Sequence, residues 1–204
     1  MKSYFIAAAA LVSASSASAA DFTGPWVEAR GGWDSVQLAI SANNASITES
    51  QSGVVYGGAA GFDVAVGKTV VVGLQGGLYG TTAKVCSAVY GNDEACLSAG
   101  RDLEALARIG FRAGDNTLVY GLAGYANGRI SASYVDFDDI TNSGSVSETG
   151  DGFRIGAGVE QTYSDGLYAK VEYRYTSYTK ADIGFGVDLG FNRHQVLVGA
   201  GYRF

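Results

Sequence analysis

Eight stretches of this chain alternate apolar and polar residues with a period of two, each over roughly 10 to 14 residues. Side chains along a strand point to opposite faces in turn, so each stretch reads as a β-strand with one apolar and one polar face. Leu167 to Thr176 shows it most plainly. Leu167, Ala169, Val171, Tyr173 and Tyr175 fall on one side, and Tyr168, Lys170, Glu172, Arg174 and Thr176 on the other. Wound as a helix, the same charges would scatter around the axis. Ordinary strands run ~5–6 residues, whereas a strand that crosses a bilayer needs ~9–11.

The other stretches follow the same rule. Val27, Ala29, Gly31 and Trp33 oppose Glu28 and Arg30. Tyr56, Ala60, Phe62 and Val64 oppose Asp63, and Val70, Val72, Leu74 and Leu78 oppose Gln75. Leu103, Ala105, Ala107, Ile109 and Phe111 oppose Glu104, Arg108 and Arg112, and Leu118, Tyr120 and Leu122 oppose Asn127 and Arg129. Phe153, Ile155, Ala157 and Val159 oppose Arg154 and Glu160. Val196, Val198, Ala200, Tyr202 and Phe204 oppose Arg193, Gln195 and Arg203. Three tight-turn signals, Gly67-Lys68-Thr69, Gly114-Asp115-Asn116 and Ser164-Asp165-Gly166, alternate with four long polar connections at 38–53, 82–101, 131–151 and 178–190. Short turns on one rim and long loops on the other are the asymmetry of membrane β-barrels. An even strand count then puts both termini on the short-turn, periplasmic side. The expected fold is all-β: an eight-stranded antiparallel up-and-down transmembrane β-barrel.

Period two does not say which face is inside, and a soluble eight-stranded barrel of lipocalin type would turn the apolar face inward. Strand length, a Gly-rich charged face, and aromatics near strand ends on the apolar face (Trp33, Tyr56, Tyr120, Tyr175, Phe204) favour the inverted, lipid-facing arrangement. A closed barrel also leaves no backbone group unpaired in lipid.

The N-terminus reads as an export signal. Met1-Lys2 precedes an uncharged, mostly apolar run from Tyr4 to Val12, and Ala17-Ser18-Ala19 has the A-x-A form of a cleavage site. Residues 1–20 are expected to be removed after Ala19 or Ala20, leaving a barrel domain over 21–204. The formal charge of −6 and the lack of a basic patch speak against nucleic acid as a partner.

The segments 152–178 and 194–204, GFRIGAGVEQTYSDGLYAKVEYRYTSY and HQVLVGAGYRF, resemble the small eight-stranded outer-membrane β-barrel family. The opacity-like and alphaproteobacterial 25/31-kDa outer-membrane proteins and the OmpA transmembrane domain are similar. The resemblance implies a penultimate hairpin with Glu160, Lys170, Glu172 and Arg174 at its polar positions. It also implies a C-terminal signal, Val198, Tyr202 and Phe204, read by the barrel assembly machinery. Partners implied are outer-membrane lipid and lipopolysaccharide, that machinery, and an extracellular ligand at the four long loops.

Fourteen charges read inward: Glu28, Arg30, Asp63, Glu104, Arg108, Arg112, Arg129, Arg154, Glu160, Lys170, Glu172, Arg174, Arg193 and Arg203. Eight strands enclose a lumen that side chains can nearly fill, so mixed signs point to a salt-bridge plug. The competing reading is an ion path, where nine bases against five acids would favour anions. Cys86 and Cys96, ten apart in an exported chain, are expected to form a disulfide. Asp136, Asp138, Asp139, Glu148 and Asp151 read as a solvated acidic loop, without the spacing of an EF-hand. Gly67-Lys68-Thr69 lacks the first Gly of a P-loop, since Phe62 stands there. Lipid A deacylases, similar in architecture, use a His followed two residues later by Ser; here Val196 follows His194. No enzyme activity, metal or cofactor is expected, and the function expected is structural or surface-facing, with a narrow channel as the alternative.

Overall fold

A computed structural model describes residues 22–42, 45–88, 93–135, 143–163, 166–179, 181–182 and 187–204. The expected leader, 1–20, and Asp136, Asp138 and Asp139 lie outside these residues. The described chain forms ten strands: β1 (Gly24–Ala42), β2 (Ala45–Val66), β3 (Val70–Thr81), β4 (Lys84–Ala88), β5 (Glu94–Arg112), β6 (Thr117–Val135), β7 (Gly144–Thr162), β8 (Leu167–Tyr178), β9 (Ala181–Asp182) and β10 (Val187–Arg203). Eight are staves of one antiparallel sheet in the order β1-β2-β3-β5-β6-β7-β8-β10, and β10 pairs back onto β1 from Trp26↔Arg203 to Ala42↔Val187. The sheet is thus closed and has no free edge. The short strands β4 and β9 add to β5 and β10 at the long-hairpin end.

The glycines of the three expected tight turns fall between paired strands; Ser164 and Asp165 of the third lie outside the described residues. Gly67, Gly114 and Gly166 adopt φ of 73°, 131° and 80°, a left-handed region that costs other residues energy. The long connections differ from expectation, because strand pairing continues through most of them. β2 has 22 residues, and the β1–β2 ladder runs on to Ala42↔Ala45. Backbone groups beyond the apolar band are paired within these hairpins.

The usual inside-out order is inverted. Phe62, Leu74, Leu78, Ile109, Phe153, Val171, Val198 and Phe204 are exposed on the outer face. Along β8 exposed or half-exposed residues alternate with buried Tyr168, Lys170, Glu172, Arg174 and Thr176. On β6 the expected faces are exchanged. Leu118, Tyr120 and Leu122 are buried in the lumen, while Val119 and Tyr125 face outward. Tyr120 is therefore not part of the outer aromatic set, to which Trp33, Tyr56 and Phe204 do belong.

Candidate functional site: a charge-filled lumen

Alternation on eight staves sends every second side chain into a space about as wide as the side chains themselves. Among the described residues, seven acids are buried there: Glu28, Asp34, Asp63, Asp102, Glu104, Glu160 and Glu172. Seven bases are buried with them: Arg30, Arg108, Arg154, Lys170, Arg174, Arg193 and Arg203. None is more than 7% exposed. A buried charge is costly unless paired and hydrogen-bonded, and here the pairing is dense.

At the short-turn end, Arg108 Nε donates to Asp63 Oδ1 at 2.7 Å and its Nη1 to Glu160 Oε2 at 3.1 Å. Arg203 donates to the same two acids, each at 2.6 Å. At mid-height, Glu28 accepts from Tyr168 Oη at 2.9 Å, lies 2.8 Å from Lys170 Nζ, and pairs with Arg30. Glu172 accepts from Tyr120 Oη at 2.6 Å and pairs with Arg174 and with Arg30, the latter at 3.4 Å. Glu104 takes Arg174 at 2.5 Å, Arg154 at 2.7 Å, Tyr79 Oη at 3.0 Å, Gln75 Nε2 at 3.1 Å and Arg30 at 3.5 Å. Arg154 links this level to the next, reaching Asp102 at 2.6 Å and Thr176 Oγ1 at 2.7 Å. Arg193 closes the stack, forked onto Asp34 at 2.7 Å and reaching Asp102 at 3.0 Å.

Aromatic rings fill the gaps between charges. Arg108 lies over Trp26 and Tyr120, at 5.1 and 5.0 Å from the ring centroids, and Arg174 over Tyr79 at 5.2 Å. Inner-face glycines make room for them. A Cβ on Gly61 would come within 2.4 Å of the Trp26 indole, and one on Gly201 within 2.5 Å of Tyr168 Oη. Nearer the short turns an apolar cluster of Phe22, Val71, Leu106, Leu118 and Leu122 shares the lumen with Tyr120.

Arg112 keeps the inner parity of β5 at the short-turn end, half-buried, and lies over the ring of Phe22 at 5.4 Å. One residue expected inside stands elsewhere. Arg129 is on the outer face and donates to Ser147 Oγ at 2.8 Å. It sits twelve residues along β6 from Thr117, beyond the apolar band, where an outward charge costs little. Asp34 and Asp102 were missed, although they share strand parity with Glu28/Arg30 and with Glu104/Arg108. Among the buried lumen charges acids and bases are then equal, so the excess of bases behind the anion preference shrinks to the half-buried Arg112.

Cys86 and Cys96 are joined by a disulfide and sit directly opposite each other in the β4–β5 ladder. His194 is on the outer face, its Nδ1 2.7 Å from Tyr173 Oη. Asp151 accepts from Asn127 Nδ2 at 2.7 Å and from Tyr125 Oη on the β6–β7 surface.

A sequence profile of the outer membrane protein beta-barrel domain matches residues 5–204. The chain belongs to that family. A 31 kDa outer-membrane immunogenic protein of Brucella melitensis is 34% identical over 104 residues, 48% of this chain and 43% of that protein. A 22 kDa outer membrane protein of Rhizobium leguminosarum bv. viciae is 33% identical over 90 residues, 43% of this chain and 39% of that protein. The matched stretches thus span less than half the length of these relatives. Among solved structures, Neisserial surface protein A superposes with a TM-score of 0.50 at 16% identity, covering 89% of this chain and 98% of that one. The outer membrane protease OmpT from Escherichia coli gives 0.52 at 9% identity, covering 89% and 97%. At these identities the likeness is one of fold, an outer-membrane barrel.

Proposed function

We propose that this outer-membrane barrel is a sealed scaffold that works at the cell surface, through envelope integrity and contacts made by its long hairpins, and is not an enzyme. The observation that carries this reading is the lumen: seven buried acids matched by seven buried bases, packed with aromatic rings. In this reading both termini and the three short turns face the periplasm, and the leader is removed after Ala19 or Ala20. The outward row Val198, Tyr202 and Phe204 serves the assembly machinery, and the outer face meets lipid and lipopolysaccharide. The single His, bonded to a tyrosine on the outer wall, is poorly placed for acid–base catalysis.

A narrow channel is the second reading. It is favoured by Gln195, which is 1% exposed yet has neither amide atom hydrogen-bonded. A buried unsatisfied amide marks a weak point in a plug. Proteoliposome swelling separates the two. Swelling in salts and small sugars at the rate of empty vesicles supports the scaffold, and faster swelling supports the channel.

A further inference from the structure

On several staves the polarity of the barrel wall reverses above the charge stack, while on β7 Glu148 keeps the inner parity, opposite Ile130. Within the apolar band, apolar side chains point out and charged ones in. Beyond it, at the long-hairpin end, Arg129, Ser131 and Ser133 on β6 occupy the outer parity, while Ile130 and Ala132 occupy the inner one. On β1, Val36 follows Asp34 on the inner face, and on β10 Phe191 follows Arg193. On β5 the reversal is built by a bulge. The β5–β6 register shifts between Ala99 and Asp102, with one extra residue on β5. A one-residue shift exchanges the faces of everything beyond it. Without it Leu97 and Ala99 would share the outer face with Leu103. With it they turn inward, opposite Val85 and Ile130.

These side chains border a cavity of about 400 Å³, lined by residues that include Val36, Gln51, Val85, Leu97, Ile130 and Phe191. β1 and β6 stand on opposite sides of the eight-stave ring, so a space touching both Val36 and Ile130 lies inside the barrel mouth. The Arg193–Asp34 and Arg193–Asp102 pairs follow next along the strands, Asp34 and Arg193 each two residues from a lining residue, Val36 and Phe191, and none of the three charges lines the cavity. Val85 and Leu97 are 42% and 44% exposed although they point into this mouth, so their apolar surface is uncovered. The adjoining Cys86–Cys96 disulfide pins that wall.

We propose that this mouth is a binding calyx for a small, uncharged, mostly apolar molecule. The volume falls in the range of small-molecule sites, roughly 300–1,000 Å³, and is too small for a folded partner. No Asp, Glu, Lys or Arg is among the lining residues, and its polar groups are neutral, Gln51 and serines. A charged ligand would lose its hydration there without a counter-charge on the wall. The inference goes beyond the surface-scaffold reading and holds whether or not the lumen conducts.

The test is a fluorescence titration of the folded, oxidised protein in lipid nanodiscs with phenylnaphthylamine, an uncharged apolar fluorophore. The anionic anilinonaphthalene sulfonate serves as comparator. The expected result is a saturable one-to-one component above lipid partitioning, weaker by about tenfold or more for the anion. Ala99→Trp, which fills the cavity, and Val85→Glu, which charges its wall, each remove that component while heat-modifiable gel mobility shows the barrel folded. Binding that only rises linearly, or a saturable component that survives both substitutions or favours the anion, overturns the proposal.

Discussion

At the scale of single residues, Glu104 is the centre of the lumen. One carboxylate receives three guanidinium groups, a phenol and an amide. Removing one partner of a buried ion pair costs about 3–5 kcal/mol, because the other charge stays buried. Glu104→Ala is therefore expected to lower the urea unfolding midpoint of the bilayer-inserted barrel well below the wild-type value. Arg129→Ala, which removes only an outer-face hydrogen bond to Ser147, should leave it unchanged. Equal midpoints for Glu104→Ala and wild type would show that the contacts add nothing. The inner glycines set a second limit. A side chain at Gly201 would press on Tyr168 Oη and also on the Val27 carbonyl, 2.6 Å from its Cβ. Gly201→Leu should block formation of the heat-modifiable folded form, whereas Ala200→Leu, on the neighbouring outer position, should fold normally.

At the scale of elements, the staves divide by how cleanly their two faces differ. β8 is legible from sequence because its charged residues occupy one parity only and burial follows that parity residue by residue, and the same alternation holds on β10 from Arg193 to Arg203. β6 is not, because Leu118, Val119, Tyr120 and Leu122 make both faces apolar near the turn. The one charge that indicated a face, Arg129, lies past the bilayer, where the parity rule for charge no longer applies. Asp34 and Asp102 were legible in principle, since each continues a parity already marked by charge. The β5 bulge was not, because period two offers no sign of an inserted residue. The mouth hairpin β4–β5 is held by its disulfide, and closing so short a loop contributes roughly 2–3 kcal/mol in the chain-entropy model. Cys86→Ser combined with Cys96→Ser should speed hydrogen exchange in 84–98 selectively and leave β8 and β10 protected. Uniform loss of protection would mean that the disulfide supports the whole barrel.

At the scale of the whole molecule, the chain carries a net charge of −6, yet the charges buried in its lumen cancel seven against seven. The excess negative charge therefore lies outside the lumen. An eight-stave ring leaves little width once Trp26, Tyr79, Tyr120 and Tyr168, all buried, stand among the ion pairs. A path for ions would have to break several of these contacts together. In the proposed scaffold reading the barrel is a wall whose lumen is filled by ion pairs and rings, leaving the long-hairpin mouth as its open cavity. The most direct test of the sealed lumen is single-channel recording of the folded, oxidised protein in a planar bilayer, with gel mobility confirming insertion. A sealed lumen gives a silent membrane. Reproducible conductance steps whose size or ion preference changes in Arg174→Ala would contradict it and make the lumen a pore.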